Sequence, residues 1–452
     1  MRIGTLLLIS CLFQIAGAQV PFYPTQNISG HRFGSSVAVS GNDIVVSSVS
    51  TFLFPVTQGS VYVFEHSNGT LTQTANFAPS TILPTDGFGA SVSIDNDIIA
   101  VGAPGHEGTG AVFIYRKNGT QWEFEHQLAS PFSAPGGLFG TNTVIHDDLL
   151  LVAAPAAMQP GVPQFSGYVH IFQLVDTQWN YMHSMSLGNV TNYGEKIRKD
   201  GTTIIISGTT NSEGKKFVNY LLSTSSPEFG SAEQIISDFQ IAEDRLYLLT
   251  RESQNQEILV IDYLTWDIVN TIAIPASDQI YTSLAVSGDK MFVGSSEYVL
   301  QMTRKFPVEY FRKVGSEWQY QYPIFGTAPD GDDNFGQALA IDGENLVIGA
   351  PQEGVVFATG NAYYLNTSTL SVTGYDSEHV VVYPNPATDS FTVKSDKNQT
   401  PEVIEIYSVA GKKLQQTNSV SSVDISHLQT GIYFARITFA DGILHTCKIV
   451  KQ

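Results

Sequence analysis

One adjacent pair of side chains in this sequence could exchange a proton with a substrate. His106 and Glu107 stand in a predicted loop, and an imidazole beside a carboxylate is a common acid–base arrangement. The competing interpretation, which we prefer, is a solvated surface pair, because that is the usual environment of a lone histidine next to a glutamate.

A second loop carries oxygen-bearing side chains at alternate positions, on Asp330, Asp332 and Asn334. This spacing could place three oxygens around one cation such as Ca²⁺. However, Phe335 and Gly336 follow directly, and no downstream glutamate stands where it could bind the ion through both oxygens. We therefore predict a solvated acidic loop at this position, and no metal or other cofactor.

Other catalytic signatures are absent from the sequence, which has no Gly-x-Ser-x-Gly elbow, no His-Glu-x-x-His motif and no phosphate-binding loop. We therefore predict no catalytic residues. An enzyme stays open as an alternative, because scattered carboxylates can converge in space and a fold does not determine function.

Seven copies of one short pattern organise most of the chain, and each is a tight polar turn between two apolar, β-forming runs. The copies begin at intervals of 44 to 55 residues, close to the roughly 40 to 50 residues of a four-stranded propeller blade. They are Val39–Ile44, Ile94–Ile98, Ile145–Leu149, Ile197–Ile204, Ile241–Leu246, Val286–Met291 and Ile341–Leu346.

Two further features recur at a similar distance from this turn. An aromatic residue and a glycine precede it, as at Phe88 and Gly89, and a Gly-Ala-Pro run follows it, as at Gly102–Pro104. The fourth and fifth copies match these features less well. We predict an all-β fold with a seven-bladed β-propeller over residues 19–375, aromatic side chains between the blades, and Val20–Tyr23 paired with the last blade.

The lengths of the connections within each copy predict where a ligand binds. The first-to-second and third-to-fourth connections are tight and the others are long, so alternating strand direction gathers the long ones at one end. Loops folded over the propeller mouth are the competing interpretation. The candidate ligand-contacting residues at this end are Phe52, Phe54, His106, Glu107, Met158, Phe165 and Phe357.

Residues 376–452 form a second predicted domain, because the repeat ends there and short strands with turns continue. These strands indicate a small, immunoglobulin-like β-sandwich. Their predicted bounds are Val380–Tyr383, Ser390–Lys394, Val403–Ser408, Ile432–Phe439 and Leu444–Val450.

The N-terminal residues predict export. Arg2 precedes the apolar run Ile3–Ile15, and Ala16–Ala18 has the small-x-small form that signal peptidase accepts, so residues 1–18 are a predicted signal peptide. A lipoprotein signal ending before Cys11 is the rival interpretation. No later stretch reaches the roughly 18 apolar residues that span a bilayer, so we predict no transmembrane segment in the mature chain.

The overall charge restricts the partners of the protein. The chain has 42 acidic and 23 basic residues, which gives a formal net charge of −19 at pH 7. Such a chain repels phosphate backbones and anionic lipid, so we predict no nucleic-acid partner.

The aromatic-Gly, apolar-strand and Gly-Ala-Pro pattern resembles the FG-GAP repeat of integrin α-subunit propellers and their bacterial relatives, over roughly residues 31–370. The resemblance implies a seven-bladed propeller used for binding and adhesion. Integrin-type repeats carry a calcium loop in the first hairpin of the repeat. Here that hairpin is a short turn, such as Asp342–Asn345, which cannot supply six oxygen ligands, so we do not expect those calcium sites.

The C-terminal residues resemble the sorting domain of the type IX secretion system, through Tyr383–Pro386, Ile406–Lys412, Leu428–Tyr433 and Lys448–Lys451. This resemblance implies recognition by the type IX machinery and a secreted or cell-surface location in a Gram-negative, Bacteroidota-type bacterium. An ordinary immunoglobulin-like accessory domain is the alternative. The residues assigned to the sorting signal are Pro384, Asn385, Pro386, Gly411, Gly431, Tyr433, Lys448 and Lys451.

The sequence thus predicts a secreted or cell-surface binding or adhesion module, without catalysis, whose ligand is an extracellular glycan or protein. The alternative is a secreted carbohydrate-active hydrolase or lyase built on the same propeller.

Overall fold

The fold is described from a computed structural model, in which the chain divides into two compact units. One unit is Gly17–Ser368, and the other includes Thr369–Gln452. The described residues are 20–24, 32–49, 58–132, 135–157, 167–186, 190–201, 203–210, 216–222, 228–231, 235–251, 256–275, 279–295, 306–326, 334–351, 360–370, 381–394, 400–408, 413–418, 421–438 and 444–452.

Strands make up nearly all of the regular structure in this part of the chain, which confirms the all-β prediction. The helical segments described are three short 3₁₀ turns at Pro84–Asp86, His106–Gly108 and Thr367–Leu370. No helix among the described residues is long and apolar enough to cross a membrane. The predicted signal peptide, and the predicted domain boundary at residue 376, lie outside the described residues and stay predictions.

The first half of the larger unit begins with β1 (Val20–Phe22) and continues with three antiparallel four-stranded sheets. Sheet 1 contains β2 (Arg32–Ser40), β3 (Asp43–Val49), β4 (Ser60–Ser67) and β5 (Thr70–Phe77). Sheet 2 contains β6 (Val92–Asp95), β7 (Ile98–Ala103), β8 (Ala111–Asn118) and β9 (Gln121–Ala129). Sheet 3 contains β10 (Thr143–His146), β11 (Leu149–Ala154), β12 (Tyr168–Val175) and β13 (Gln178–Met185).

The second half contributes the remaining sheets of this unit. Sheet 4 contains β14 (Val190–Thr191), β15 (Ile197–Asp200), β16 (Thr203–Thr210), β17 (Lys216–Leu222) and β18 (Glu228–Ser231). Sheet 5 contains β19 (Ile236–Ala242), β20 (Arg245–Thr250), β21 (Glu257–Asp262) and β22 (Asp267–Ala273). Sheet 6 contains β23 (Tyr281–Ser287), β24 (Lys290–Ser295), β25 (Val308–Val314) and β26 (Glu317–Ile324). Sheet 7 contains β27 (Ala338–Asp342), β28 (Asn345–Ala350) and β29 (Asn361–Asn366), with β1 as its fourth strand.

The seven sheets of the described residues close into a ring, as in a β-propeller. The first main strand of each sheet contacts the first main strand of the next, in the order β2, β6, β10, β15, β19, β23 and β27. β27 then contacts β2, so the ring returns to its start. β1 pairs antiparallel with β29, with Val20 opposite Tyr364 and Phe22 opposite Ala362, which confirms the predicted pairing of the N-terminal strand with the last sheet.

Tight turns gather at the same end of each sheet. In five sheets, a backbone N–H at the end of the third strand donates to a carbonyl oxygen in the turn between the first two strands. These bonds are His66 to Asn42 (2.9 Å), Lys117 to Asp97 (2.8 Å), Leu174 to Asp148 (2.7 Å), Lys313 to Asp289 (2.8 Å) and Thr367 to Glu344 (2.7 Å). The longer connections therefore lead to the opposite end of these sheets.

The repeated glycines contact one another across neighbouring sheets. A Cβ atom on Gly102, in the Gly-Ala-Pro run of sheet 2, would overlap the carbonyl oxygen of Gly140, which follows Phe139 at the start of sheet 3. Gly349 of sheet 7 stands in the same relation to Gly34 of sheet 1. The glycine of the Gly-Ala-Pro run and the glycine after the aromatic residue thus meet at the boundary between neighbouring sheets. The contact between Gly349 and Gly34 closes the ring in the same way.

Aromatic side chains fill the space beside these contacts, as predicted. Phe88 meets Phe113 edge to face, with ring centroids 5.4 Å apart, inside the shared core of sheets 1 and 2. The aromatic residues that precede the repeat glycines are at most 2% exposed: Phe33, Phe88, Phe139, Tyr193 and Phe335.

The smaller unit contains two sheets that share one core. One sheet has β30 (Val381–Tyr383), β31 (Ser390–Lys394) and β34 (Ser422–Asp424), and the other has β32 (Val403–Ser408), β33 (Lys413–Asn418), β35 (Gly431–Thr438) and β36 (Leu444–Lys451). Phe391 and Val423 of the first sheet pack with Ile404, Ile437 and Ile449 of the second. β33 and β34 were missed from sequence because their residues are mostly polar, and the likeness to immunoglobulin domains stays a prediction.

Replacing Gly102 with alanine should lower the free energy of unfolding by at least about 2 kcal/mol, because the new methyl group must displace the backbone of the neighbouring sheet. Gly119→Asn is the matched control: its φ is +63°, which asparagine tolerates, and a Cβ there meets no atom within 4 Å. Urea denaturation followed by tryptophan fluorescence measures both variants. Equal stability of the two variants would contradict the proposed contact.

Candidate functional site

His106 has a different partner from the one that the sequence suggested. Its Nδ1 lies 2.7 Å from Oδ2 of Asp86, and both side chains are buried. Glu107 is exposed, and its carboxylate oxygen is 4.0 Å from Nε2 of His106. The predicted solvated His–Glu pair is therefore wrong for His106, because the loops on either side of β6 and β7 bring Asp86 to it from 20 positions away.

Local backbone bonds hold this Asp–His pair in place. Oδ2 of Asp86 also accepts a hydrogen bond from the backbone N–H of Leu83 at 3.0 Å, and the Asp86 carbonyl accepts one from Gly105. The imidazole of His106 meets the ring of Phe113 edge to face. A buried carboxylate that fixes one imidazole nitrogen leaves the other nitrogen, Nε2, to exchange a proton or bind a ligand.

The other five predicted ligand contacts all lie outside the described residues, namely Phe52, Phe54, Met158, Phe165 and Phe357. Asp330 and Asp332 of the predicted acidic loop also lie outside them. Asn334 is described and buried, and its side-chain amide has no hydrogen-bond partner among the described residues. Within that part of the chain, no group of three or more His, Cys, Asp or Glu side chains could hold a metal ion.

A channel lies at the centre of the ring. It has a volume of about 480 Å³ and is lined by the first strands of all seven sheets. Hydroxyl, amide and small apolar side chains form most of the described lining, including Ser36, Ser93, Thr143 and Gln337. The charged side chains in that lining are Lys196, Arg198, Lys199 and Asp238.

Asp238 anchors the charged part of the channel. Its Oδ1 lies 2.8 Å from Nζ of Lys196 and 3.2 Å from Nη2 of Arg198, and its Oδ2 accepts the backbone N–H of Leu284 at 3.0 Å. Burial alone would raise the pKa of Asp238, but the two cations and a backbone N–H from Phe239 outweigh it, so the pKa lies below its ordinary value. The carboxylate therefore stays ionised.

Lys199 lies nearer the tight-turn end of the channel. Burial lowers its pKa, although the carboxylates of Asp147, Asp95 and Asp148 oppose that shift. Its ammonium donates to the carbonyl oxygen of Gly201 at 2.7 Å.

Sequence reasoning missed these cationic residues, although a signal was present. Lys196 and Arg198 stand at alternate positions, where β geometry directs both side chains to the same face. Comparison of the fourth copy with the other six would have shown that, among the residues that line the channel, the basic ones come from the fourth copy.

A buried histidine in sheet 3 was also missed. Nδ1 of His170 lies 2.6 Å from Oγ of Ser184, its partner across the strands β12 and β13, and Nε2 has no partner among the described residues. Rings of Phe132, Phe139 and Tyr168 surround the imidazole. Burial lowers the pKa of His170 to about 4, so the side chain is neutral at pH 7 and serves packing rather than charge.

In the smaller unit, predicted sorting residues from the two ends of the segment come together. Oδ1 of Asn385 accepts the backbone N–H of Val450 at 2.8 Å, and Gly431 lies opposite Lys451 in the pairing of β35 and β36. The hydroxyl of Tyr433 donates to the carbonyl oxygen of Gln429 at 2.8 Å. Pro384 and Pro386 flank Asn385, Lys448 lies opposite Phe434, and Gly411 lies outside the described residues.

Protonation of His170 should make the folded protein less stable as the pH falls. Its pKa in the folded state, about 4, is below the ordinary value of 6.5, so unfolding takes up a proton and the contribution is lost as the pH falls from 6.5 to 4. This loss amounts to about 3 kcal/mol. Urea denaturation at several pH values should show a smaller loss for His170→Gln and an unchanged loss for His126→Gln, an exposed control. Identical pH profiles for wild type and His170→Gln would contradict this assignment.

Similar proteins include ulvan lyase NLR42 of Nonlabens ulvanivorans, which is 27% identical over 129 residues. That alignment covers 28% of this chain and 23% of the relative, so this chain spans less than a quarter of the length of the ulvan lyase.

Solved structures that match include the β-propeller domain of the Trilobed protease from Pyrococcus furiosus, with 11% identity and a TM-score of 0.42 over 63% of this chain and 82% of that chain. Hsv2 of Kluyvelomyces marxianus matches with 10% identity and a TM-score of 0.45, over 69% of this chain and 86% of that chain.

Two protein families match parts of the chain directly. Residues 71–115 match the FG-GAP repeat, and residues 381–452 match the secretion system C-terminal sorting domain. The first match covers β5 to β8 and includes Gly89 and Gly102 of the sequence repeat, and the second covers the described strands of the smaller unit. The chain therefore carries an FG-GAP repeat and a type IX sorting domain, and it is a secreted or cell-surface protein of the Bacteroidota.

Proposed function

We propose that the protein is an extracellular binding module whose ligand occupies the central channel of the propeller. The observation that carries this proposal is the channel itself, about 480 Å³ in volume and lined by residues from all seven sheets. This volume falls within the roughly 300–1,000 Å³ typical of small-molecule sites. A ring of sheets also holds the lining in fixed positions, which favours binding because little ordering is needed when a ligand arrives.

The ends of the channel differ, and this supports a direction of ligand entry. Tight turns bearing Asp95, Asp147 and Asp148 gather at one end. The longer connections, including the loop that holds His106, lead to the other end. We propose that the ligand enters at the end with the long connections, where Phe52 and Phe54 remain candidate contacts.

A secreted carbohydrate-active lyase or hydrolase is the second candidate. The alignment with an ulvan lyase favours it, as does the buried pair of Asp86 and His106, which holds an imidazole in a fixed orientation. In this alternative, Nε2 of His106 would accept or supply the proton of the reaction.

Binding and turnover can be separated with one set of polysaccharides. The full secreted protein, immobilised on a sensor surface, is exposed to ulvan, alginate, polygalacturonate and laminarin, and the solution is assayed for unsaturated or reducing ends. A binding module retains at least one polymer and releases no product. Product formation that His106→Gln abolishes and Glu107→Gln preserves would establish the enzyme instead, and retention of none would contradict the proposed function.

The contact between Asn385 and the last strand should be needed for export. Asn385→Ala removes the hydrogen bond to Val450 and weakens the contact between the ends of the sorting domain, so we expect a several-fold lower extracellular fraction of the protein. Thr388→Ala, an exposed change three positions away, is the control. Immunoblots of cells and culture medium measure the fraction. Equal export of both variants would show that the type IX machinery does not depend on this contact.

A further inference from the structure

A second cavity lies away from the central channel, between the outer strands of sheets 1 and 2. This outer groove has a volume of about 430 Å³, and none of its lining residues lines the channel. The end of β5 and the connection after it form one side of the groove, and β8 and β9 form the other. The groove is therefore a separate site from the one considered above.

Aromatic rings form the inner wall of the outer groove. Phe77 of sheet 1 stacks on Tyr115 of sheet 2, with ring centroids 3.7 Å apart and nearly parallel planes, and both side chains are buried. Phe124 meets Tyr115 edge to face at 5.8 Å, and 57% of Phe124 is exposed. The buried rings thus support one large aromatic side chain whose surface is open to a ligand.

The hydroxyl of Tyr115 sets this groove apart from the equivalent positions of other sheets. Tyr115 stands at the β-bulge between the third and fourth strands, opposite Phe124. The residues at the same bulge in sheets 1, 3, 5 and 6 have no hydroxyl; they are Phe64, Phe172, Ile261 and Phe311.

This hydroxyl has no hydrogen-bond partner among the described residues, although Tyr115 is only 4% exposed. Burial raises the pKa of Tyr115, so the hydroxyl stays protonated and can donate a hydrogen bond. A polar group on a buried side chain costs free energy unless it finds a partner. Its presence in the lining of the groove therefore points to a ligand that supplies the partner.

Uncharged polar side chains complete the lining of the outer groove. The exposed amides of Asn76 and Gln127 and the exposed hydroxyls of Ser80 and Thr81 form no side-chain hydrogen bond within the described part of the chain. Amides and hydroxyls can both donate and accept hydrogen bonds. Every residue of the lining is uncharged. The groove thus combines an apolar aromatic surface with neutral hydrogen-bonding groups.

We propose that the outer groove binds a neutral sugar, with one face of the sugar ring against Phe124 and a sugar hydroxyl on the hydroxyl of Tyr115. A sugar ring has C–H groups on its face and hydroxyls around its edge, which matches this lining. The volume of the groove falls within the roughly 300–1,000 Å³ of small-molecule sites. An anionic sugar would meet no cation in the lining, and the formal net charge of −19 would repel it.

The size of the groove disfavours a folded protein as its occupant. Ten residues line the groove, whereas a stable protein interface uses about 20 to 30 residues on each side. A proline-rich peptide is the remaining rival, because such peptides also bind aromatic grooves. The free hydroxyl and amide groups favour the sugar, and the peptide is one outcome of the test.

Calorimetric titration of the full secreted protein tests this inference. The probes are laminarihexaose, cellohexaose, mannohexaose and xylohexaose, their monosaccharides, an oligogalacturonate and decaproline. We expect at least one neutral hexasaccharide to bind. A monosaccharide that binds as tightly as its hexasaccharide identifies the free sugar as the ligand, whereas tighter binding of the hexasaccharide identifies a polysaccharide.

Variants of the groove provide the second arm. Phe124→Ala should weaken binding of that saccharide about tenfold. Tyr115→Phe, which removes only the hydroxyl, should weaken it about fivefold, with a thermal unfolding curve that shows a folded protein. Tyr181→Ala is the matched control, because Tyr181 is 42% exposed and stands opposite Phe172 at the same bulge of sheet 3. Its affinity should equal that of wild type.

An affinity unchanged in Phe124→Ala, or in folded Tyr115→Phe, would overturn the inference. Binding of decaproline or the oligogalacturonate alone, or of none of the probes, would also overturn it. The proposed function is tested separately, because these substitutions leave the lining of the central channel intact. A saccharide that binds wild type and Phe124→Ala equally would exclude the outer groove as its site and leave the channel as a candidate.

Discussion

The structure depends on close contact between the backbones of neighbouring sheets. Glycine at positions such as Gly102 and Gly140 lets two sheets approach at a distance that any side chain would prevent. Aromatic residues such as Phe139 then fill the wedge between the sheets, and both faces of most sheets are buried. The same contact between Gly349 and Gly34 joins the last sheet to the first, so one sequence pattern accounts both for stacking and for closure of the ring.

A closed ring lets one copy of the repeat diverge without loss of the fold. The first strand of sheet 4 carries Arg198 and Lys199, whereas the equivalent strands of the other sheets place mostly hydroxyl or apolar groups in the channel. The ion pair between Arg198 and Asp238 joins sheet 4 to sheet 5, in the same way that the pair between Lys117 and Asp43 joins sheet 2 to sheet 1. The divergent copy thus keeps its place in the ring and also contributes three of the four charged side chains in the described lining of the channel.

The fold could be predicted from sequence because its determinants are local and repeated. The turn after each first strand, the aromatic and glycine before it, and the Gly-Ala-Pro run after it all stand at fixed offsets within one copy. Even β1 was predictable, since the last copy lacked a fourth strand and Val20–Tyr23 was the unassigned β-forming segment. The polar strands β33 and β34 were not, because they lack the apolar alternation that marks a strand.

The candidate site was harder to predict from the sequence, because it depends on contacts between residues that are far apart along the chain. Asp86 and His106 lie on separate loops, and the adjacent Glu107 suggested the wrong partner. Lys196 and Asp238 come from different sheets, 42 positions apart, and only the closed ring brings them within 2.8 Å. Neither pair is visible in spacing along the chain, although alignment of the seven copies would have revealed the unusual charges of the fourth.

The central claim is that the seven sheets of the described residues close into a ring around a channel, through glycine contacts between neighbouring backbones. The most direct measurement is a crystal structure of the full chain. The account predicts a ring in which sheet 7 meets sheet 1 at Gly349 and Gly34 and in which the first strands line the channel. A ring that is open between sheets 7 and 1 would contradict it.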